Sequence, residues 1–167
     1  MNKNFTPANP DIIQTFVEMQ ESYPPLYESE NDYPSVKAWL KIIRTQGFSS
    51  DMMQEVLGYC FKLIKSGKYE ESAQLILVSC ATRNDNACHV LGRELFKGKL
   101  FATNTAASFG LLLNSAQNGN AEAICDLALF YKNGINAKKN KKYALKLYKQ
   151  AMEAGVERAK EEYEMLK

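Results

Sequence analysis

The sequence predicts an all-α protein: a solenoid of antiparallel helix hairpins with a helical N-terminal cap. Three observations predict it. The chain repeats itself at a shift of 36 residues, apolar side chains recur at helical spacing inside each repeat, and glycine or asparagine stands where helices should stop or start.

The first 50 residues read as the cap. One helix is expected to start at Asn9-Pro10, a capping side chain followed by proline at the first helical position, and to carry Ile12, Ile13, Phe16 and Val17. A second follows Pro34, carries Val36, Trp39, Leu40 and Ile43, and ends near Gly47. Between them, Pro24-Pro25-Leu26-Tyr27 has the PPxY shape that WW domains read, but it also suits a rigid link between two helices, which is the preferred reading.

Residues 51–86 read as a degenerate hairpin. Its first helix shows Val56, Leu57, Tyr59, Cys60, Phe61 and Ile64, and its turn is Ser66-Gly67-Lys68-Tyr69. Leu75, Ile76 and Ser79 then stand 36 residues before Leu111, Leu112 and Ser115. Two clear repeats follow, at 87–122 and 123–158, aligned without a gap. Ala87 falls on Ala123, Leu91 on Leu127, Gly92 on Ala128, Leu95 on Tyr131 and Gly98 on Gly134. In the second helix of each, Asn104 matches Asn140 at an N-cap position, Ser108 matches Ala144, and Gly119 matches Gly155. Residues 159–167 repeat only the start of a first helix and make a charged C-terminal cap, the whole being expected as one structural domain.

Composition narrows the function classes. A length of 167 residues with 46% hydrophobic residues supports a sizeable core, and a net charge of +2 gives no reason to expect nucleic acid. No apolar run approaches the ~20 residues that span a bilayer. The start, Met1-Asn2-Lys3-Asn4-Phe5, is polar rather than an apolar signal core, so a cytoplasmic chain is expected; a signal peptide trimmed before Met1 would place it in the periplasm or outside the cell. There are four cysteines and one histidine, with no CxxC pair, which makes a poor set of zinc ligands. Their plain reading is small apolar core residues in a reducing compartment. No phosphate-cradling glycine loop, nucleophile elbow or metal-ligand cluster occurs, so neither catalysis nor a cofactor is expected.

The pattern A-x3-L-[GA]-x2-[LY]-x2-G, followed by [SA]-x2-L-[LY]-x2-[SA]-x3-G, resembles the Sel-1-like repeat, a relative of the tetratricopeptide repeat. The resemblance implies stacked first helices that line a concave partner face. On this chain that face would hold His89, Arg93, Phe96 and Lys97 from one repeat and Cys125, Leu129, Lys132 and Asn133 from the next. Phe96 and Leu129 have a second reading, packing against neighbouring helices. His89 is read as a surface residue on one wall. The segment from Ser79 to Gly92 is similar to the cysteine-rich branch of the family, in which cysteines at the spacing of Cys80 and Cys88 form a disulfide. The preferred reading is two close-packed thiols where helices cross, with the disulfide as the alternative. One repeat later the equivalents are Ala116 and Ile124, so the staple would be single.

Charge adds one more candidate. Lys138, Lys139, Lys141, Lys142 and Lys146 crowd the start of the last second helix, a dock for an acidic partner or else a solvated face. Glu18, Glu21, Glu28, Glu30 and Asp32 give the N-terminal segment the opposite sign. The resemblance implies a protein-binding scaffold, with a bacterial adaptor or an immunity protein that neutralises a toxin or effector as the narrower expectation. The opposing expectation is an exported cysteine-rich protein with β-lactam binding or hydrolysis.

Overall fold

The computed structural model describes residues 4–27 and 32–167. Glu28, Glu30 and the Met1–Lys3 start lie outside the described residues. The chain forms two compact units. The first runs to Ala87 and takes in Gly98–Ala102; the second holds Cys88–Lys97 and Thr103–Lys167.

The first unit contains a short strand β1 (Phe5–Thr6), helix α1 (Ile12–Ser22), helix α2 (Pro34–Thr45), strand β2 (Phe48–Ser49), helix α3 (Ser50–Lys65) and helix α4 (Tyr69–Ala81). The first helix starts later than its sequence suggests. The Asn9 side-chain oxygen accepts the Asp11 N–H at 3.1 Å, a local turn that takes Pro10 out of the helix. Ile12 and Phe16 are buried, whereas Ile13 and Val17 face water. Helix α2 follows expectation, with Pro34 in its first turn and Val36, Trp39 and Ile43 buried.

The strand pair was not foreseen. β1 and β2 run antiparallel, Phe5 opposite Ser49 and Thr6 opposite Phe48. Gly47 makes the approach possible: its φ is +78°, and a Cβ there would collide with the Thr6 carbonyl. The PPxY segment is joined to the unit through its backbone, while Pro24, Leu26 and Tyr27 stay exposed. Pro25 bridges Phe101, and the Leu26 N–H donates to Leu100 O at 2.9 Å.

Two buried hydroxyls tie the helices of the first unit. Trp39 Nε1–H donates to Ser79 Oγ at 3.1 Å, and Ser72 Oγ–H donates to Cys60 O at 3.1 Å. The second bond has a counterpart in the second unit, where Ser108 Oγ–H donates to Gly92 O at 2.6 Å. Ser72 and Ser108 stand one repeat apart, so residues 51–86 reuse the hairpin's helix-to-helix bond with a shorter connection.

The second unit holds the rest of α5 (Asp85–Lys97), then α6 (Thr105–Gln117), α7 (Ala121–Asn133), α8 (Lys141–Glu153) and α9 (Glu157–Leu166). Asn104 and Asn140 cap α6 and α8 as their position in the repeat predicts, each accepting a backbone N–H at 2.9 Å. Each also donates its own N–H back to the preceding first helix, to Leu95 O at 2.9 Å and Tyr131 O at 2.8 Å. Asn84 and Asn120, again one repeat apart, cap the first helices α5 and α7 at 3.0 Å; the sequence reading missed them. Gly98 and Gly134 adopt positive φ at the ends of α5 and α7.

Close packing in this unit depends on small side chains. A Cβ on Gly92 would stand 3.2 Å from Leu112 Cγ, so the bare Cα is what lets α6 come near enough for the Ser108 bond. Ala128, Ala144, Ala151 and Ala159 continue this closeness through α7, α8 and α9, around Leu127, Leu147, Tyr148 and Val156. A second cluster joins Leu112, Ala123 and Phe130, with Phe96 and Phe109 packed against it.

Candidate functional site

The candidate face belongs to the second unit and is built by the first helices α5, α7 and α9. Their side chains meet one repeat apart. Arg158 of α9 donates through Nη2 to Glu122 Oε2 of α7 at 2.7 Å and through Nε to the same oxygen at 3.0 Å. Glu122 and Arg158 occupy the same repeat position, so successive first helices lie side by side in register.

Asp126 of α7 is the centre of the charge network. It is 8% exposed, yet three cations or donors converge on it. His89 Nε2 lies 2.6 Å from Oδ2, Arg158 Nη2 lies 2.8 Å from Oδ1, and Arg93 Nε lies 3.6 Å from Oδ2. Burial alone would favour the neutral acid. The His89 hydrogen bond and the Arg93 and Arg158 charges outweigh burial and hold the carboxyl below its ordinary pKa. An ionised carboxylate only accepts, so His89 donates through Nε2–H.

A cavity of about 230 Å³ opens beside this network, lined by Arg93, Phe96, Lys97, Leu112, Asp126, Leu129, Phe130 and Arg158. Its floor is apolar. Phe96 and Phe130 rings lie 5.2 Å apart, tilted by 51°, and Leu129 is half-buried beside them. Its rim is cationic but partly neutralised. Lys97 Nζ binds Glu94 Oε1 at 2.9 Å, while the Arg93 side chain, 40% exposed, has the longest contact with Asp126. The arrangement can hold one large apolar side chain with an acceptor group beside Arg93.

The structure divides the residues expected on this face. Arg93, Phe96, Lys97 and Leu129 line the cavity together. His89 does not form an exposed wall: it is buried, and its ring is held by Asp126. Cys125 is also buried, a free thiol whose pKa burial pushes up to about 11, so it presents no surface. Lys132 is bound to Glu162 at 2.7 Å, an acid that also accepts from Tyr148 OH at 3.4 Å. Asn133 is exposed at the end of α7 and does not line the cavity. The lysines Lys138, Lys139, Lys141, Lys142 and Lys146 are all exposed on α8 and the loop before it, and none lines the cavity.

Asp126, Glu122 and Arg158 were missed by sequence reading. The signal was available at one point: residues of opposite charge at the same repeat position, Glu122 and Arg158, predict a pair between stacked first helices. Asp126 had no such mark. Cys80 and Cys88 are disulfide-bonded, whereas Cys60 and Cys125 are free and buried. Burial pushes the Cys60 thiol up to about 12, which keeps it protonated and unreactive at neutral pH. Among the described residues, no group of three His, Cys, Asp or Glu side chains converges as metal ligands would, and no helix is long and apolar enough to cross a membrane.

No protein-family model matches the sequence, and no curated protein matches it. Solved structures do match its fold. A Sel1 repeat protein from Oxalobacter formigenes aligns with a TM-score of 0.55 at 20% identity, over 67% of this chain and 87% of that one. The cysteine-rich protein B of Helicobacter pylori aligns with a TM-score of 0.52 at 19% identity, over 74% of this chain and 93% of that one. The hairpins, their repeated caps and these two structures agree on one architecture: the chain has the Sel-1-like repeat fold, an all-α solenoid.

Proposed function

We propose that this chain is a non-catalytic protein-interaction scaffold, and that its α5, α7 and α9 face receives an extended segment of a protein partner. The observation that carries this reading is the cavity on that face, where an apolar floor and the Arg93 guanidinium meet. At about 230 Å³ it is smaller than the roughly 300–1,000 Å³ of a small-molecule or cofactor pocket, and it suits a single anchoring side chain. The segment that fits carries a large apolar residue next to an acidic one. Quantitative capture of partners from the native cell tests this. Arg93→Glu should weaken capture by about thirtyfold, the scale of a central interface arginine worth about 2 kcal/mol, and Leu129→Asp should do likewise. Lys146→Glu, away from the cavity, should change little. Unchanged capture by both cavity variants would refute the assignment.

Within the scaffold class, an adaptor or an immunity protein that holds a toxin or effector inactive is the narrower reading, supported by the Sel-1-like architecture. Co-expression with the product of an adjacent toxin reading frame tests it: rescue of growth is expected, and no rescue by any adjacent product would count against it. One observation favours a second reading. The disulfide-bonded state of Cys80 and Cys88 suits an oxidising compartment, as an exported cysteine-rich protein with β-lactam binding would occupy. Cell fractionation separates the two locations.

A further inference from the structure

The first unit holds a second cavity, of about 590 Å³, that the partner face does not involve. It is lined by Tyr27, Tyr33 and Tyr69 and by Gly67, Lys68, Glu70 and Glu71. We infer that this cavity binds an alkylammonium cation, its charged end between the tyrosine ring faces and the two carboxylates.

Tyr27 and Tyr69 rings lie 5.5 Å apart, tilted by 31°. Electron-rich ring faces attract ammonium groups, most strongly where water is partly excluded. Tyr69 already does so within this molecule, because Lys99 Nζ sits 4.8 Å from its ring centroid. Lys99 itself does not line the cavity.

The carboxylates are held in place by neutral donors. Tyr33 OH donates to Glu70 Oε2 at 2.9 Å, while Ser35 Oγ–H and Tyr59 OH donate to Glu71 Oε1 at 2.6 and 3.2 Å. Among the described residues neither glutamate makes an ion pair, although both are half-buried. Their position in the first turn of α4 stabilises them in part through the helix dipole. Hydroxyl bonds fix their orientation and leave acceptor capacity for a cation. Two carboxylates against the single ammonium of exposed Lys68 leave the lining net negative, so it selects against anions.

The same chemistry is offered by a lysine side chain of a protein and by a free polyamine. Aromatic-ring NMR of the full tyrosine-labelled chain tests the site and separates the sources. Butylammonium is the first probe and butyrate its control. Butylammonium should shift tyrosine resonances and butyrate should not. Glu70→Gln with Glu71→Gln should weaken binding about tenfold, and Lys68→Gln should tighten it. Tyr27→Ala, at an exposed residue, removes the ring that packs on Tyr69 and should weaken it. Tighter binding of putrescine than of a lysine tripeptide identifies a free amine as the ligand, and the reverse order identifies a protein side chain. Equal response to butylammonium and butyrate, or undiminished binding by both the glutamate and Tyr27 variants, would overturn the inference.

Discussion

Replacing Asp126 by asparagine should destabilise the protein by about 2–3 kcal/mol near neutral pH. The size follows from the hydrogen bond the carboxylate accepts from His89 at 2.6 Å and from its ion pair with Arg158 at 2.8 Å. A hydrogen bond to a charged group contributes about 1.5–3 kcal/mol. Asparagine keeps one acceptor oxygen and turns an N–H toward the other donor, so one bond is lost and one donor is stranded. The Arg158 side chain is 39% exposed and water can replace part of its share, whereas the His89 side chain is 9% exposed and cannot be rehydrated in place. For a chain of this length the loss corresponds to a fall in Tm of about 5–10 °C. The sign of the pH dependence follows from the lowered pKa of Asp126. Its stabilisation is present above the unfolded carboxyl value of about 3.9 and is lost as pH falls through the folded value. The gap between parent and variant should therefore be full near pH ~7 and shrink below pH ~4. Thermal and urea unfolding followed by far-ultraviolet circular dichroism measures both. A gap under about 0.5 kcal/mol, or one of the same size at pH ~3 and pH ~7, would refute the hub role.

Two further outcomes test other parts of the account. Alkylation of denatured, unreduced protein should count two free thiols, Cys60 and Cys125, with Cys80 and Cys88 protected; four would mean that the pair is reduced in the cell of origin. Gly92→Val should cost about 1–3 kcal/mol in chemical denaturation, because the new side chain meets Leu112 and pushes α6 away from the Ser108 bond; a stability equal to the parent's would show that α5 and α6 can separate freely.

The hairpins were legible because a repeat states each structural demand more than once. Asn104 and Asn140 cap the equivalent helices α6 and α8, and Gly98 and Gly134 end the equivalent helices α5 and α7, so each assignment supports the other. The Asn9-Pro10 start failed because capping asparagine and turn-forming asparagine look alike in sequence, and here the side chain closed a turn onto Asp11. The β1 and β2 pair is two residues per strand, too short to show any alternation. The candidate face was partly legible. Arg93, Phe96, Lys97 and Leu129 follow from stacking first helices, and they do line one cavity. His89 and Cys125 were misplaced because spacing alone cannot tell a wall from the adjoining buried seam. What decides His89 is Asp126, a residue of another helix 37 positions away. The tyrosine and glutamate cavity draws on residues from Tyr27 to Glu71 on separate elements, and no local pattern announces it.

The central claim is that the α5, α7 and α9 face is where a protein partner docks. Site-specific photocrosslinking tests it most directly, with a benzophenone side chain placed in turn at Leu129, Phe96 and Lys146 in the native cell. The account predicts one shared protein adduct from Leu129 and Phe96, and none from Lys146. An adduct from Lys146 with none from Leu129 or Phe96 would contradict it and move the docking surface to the lysines of α8.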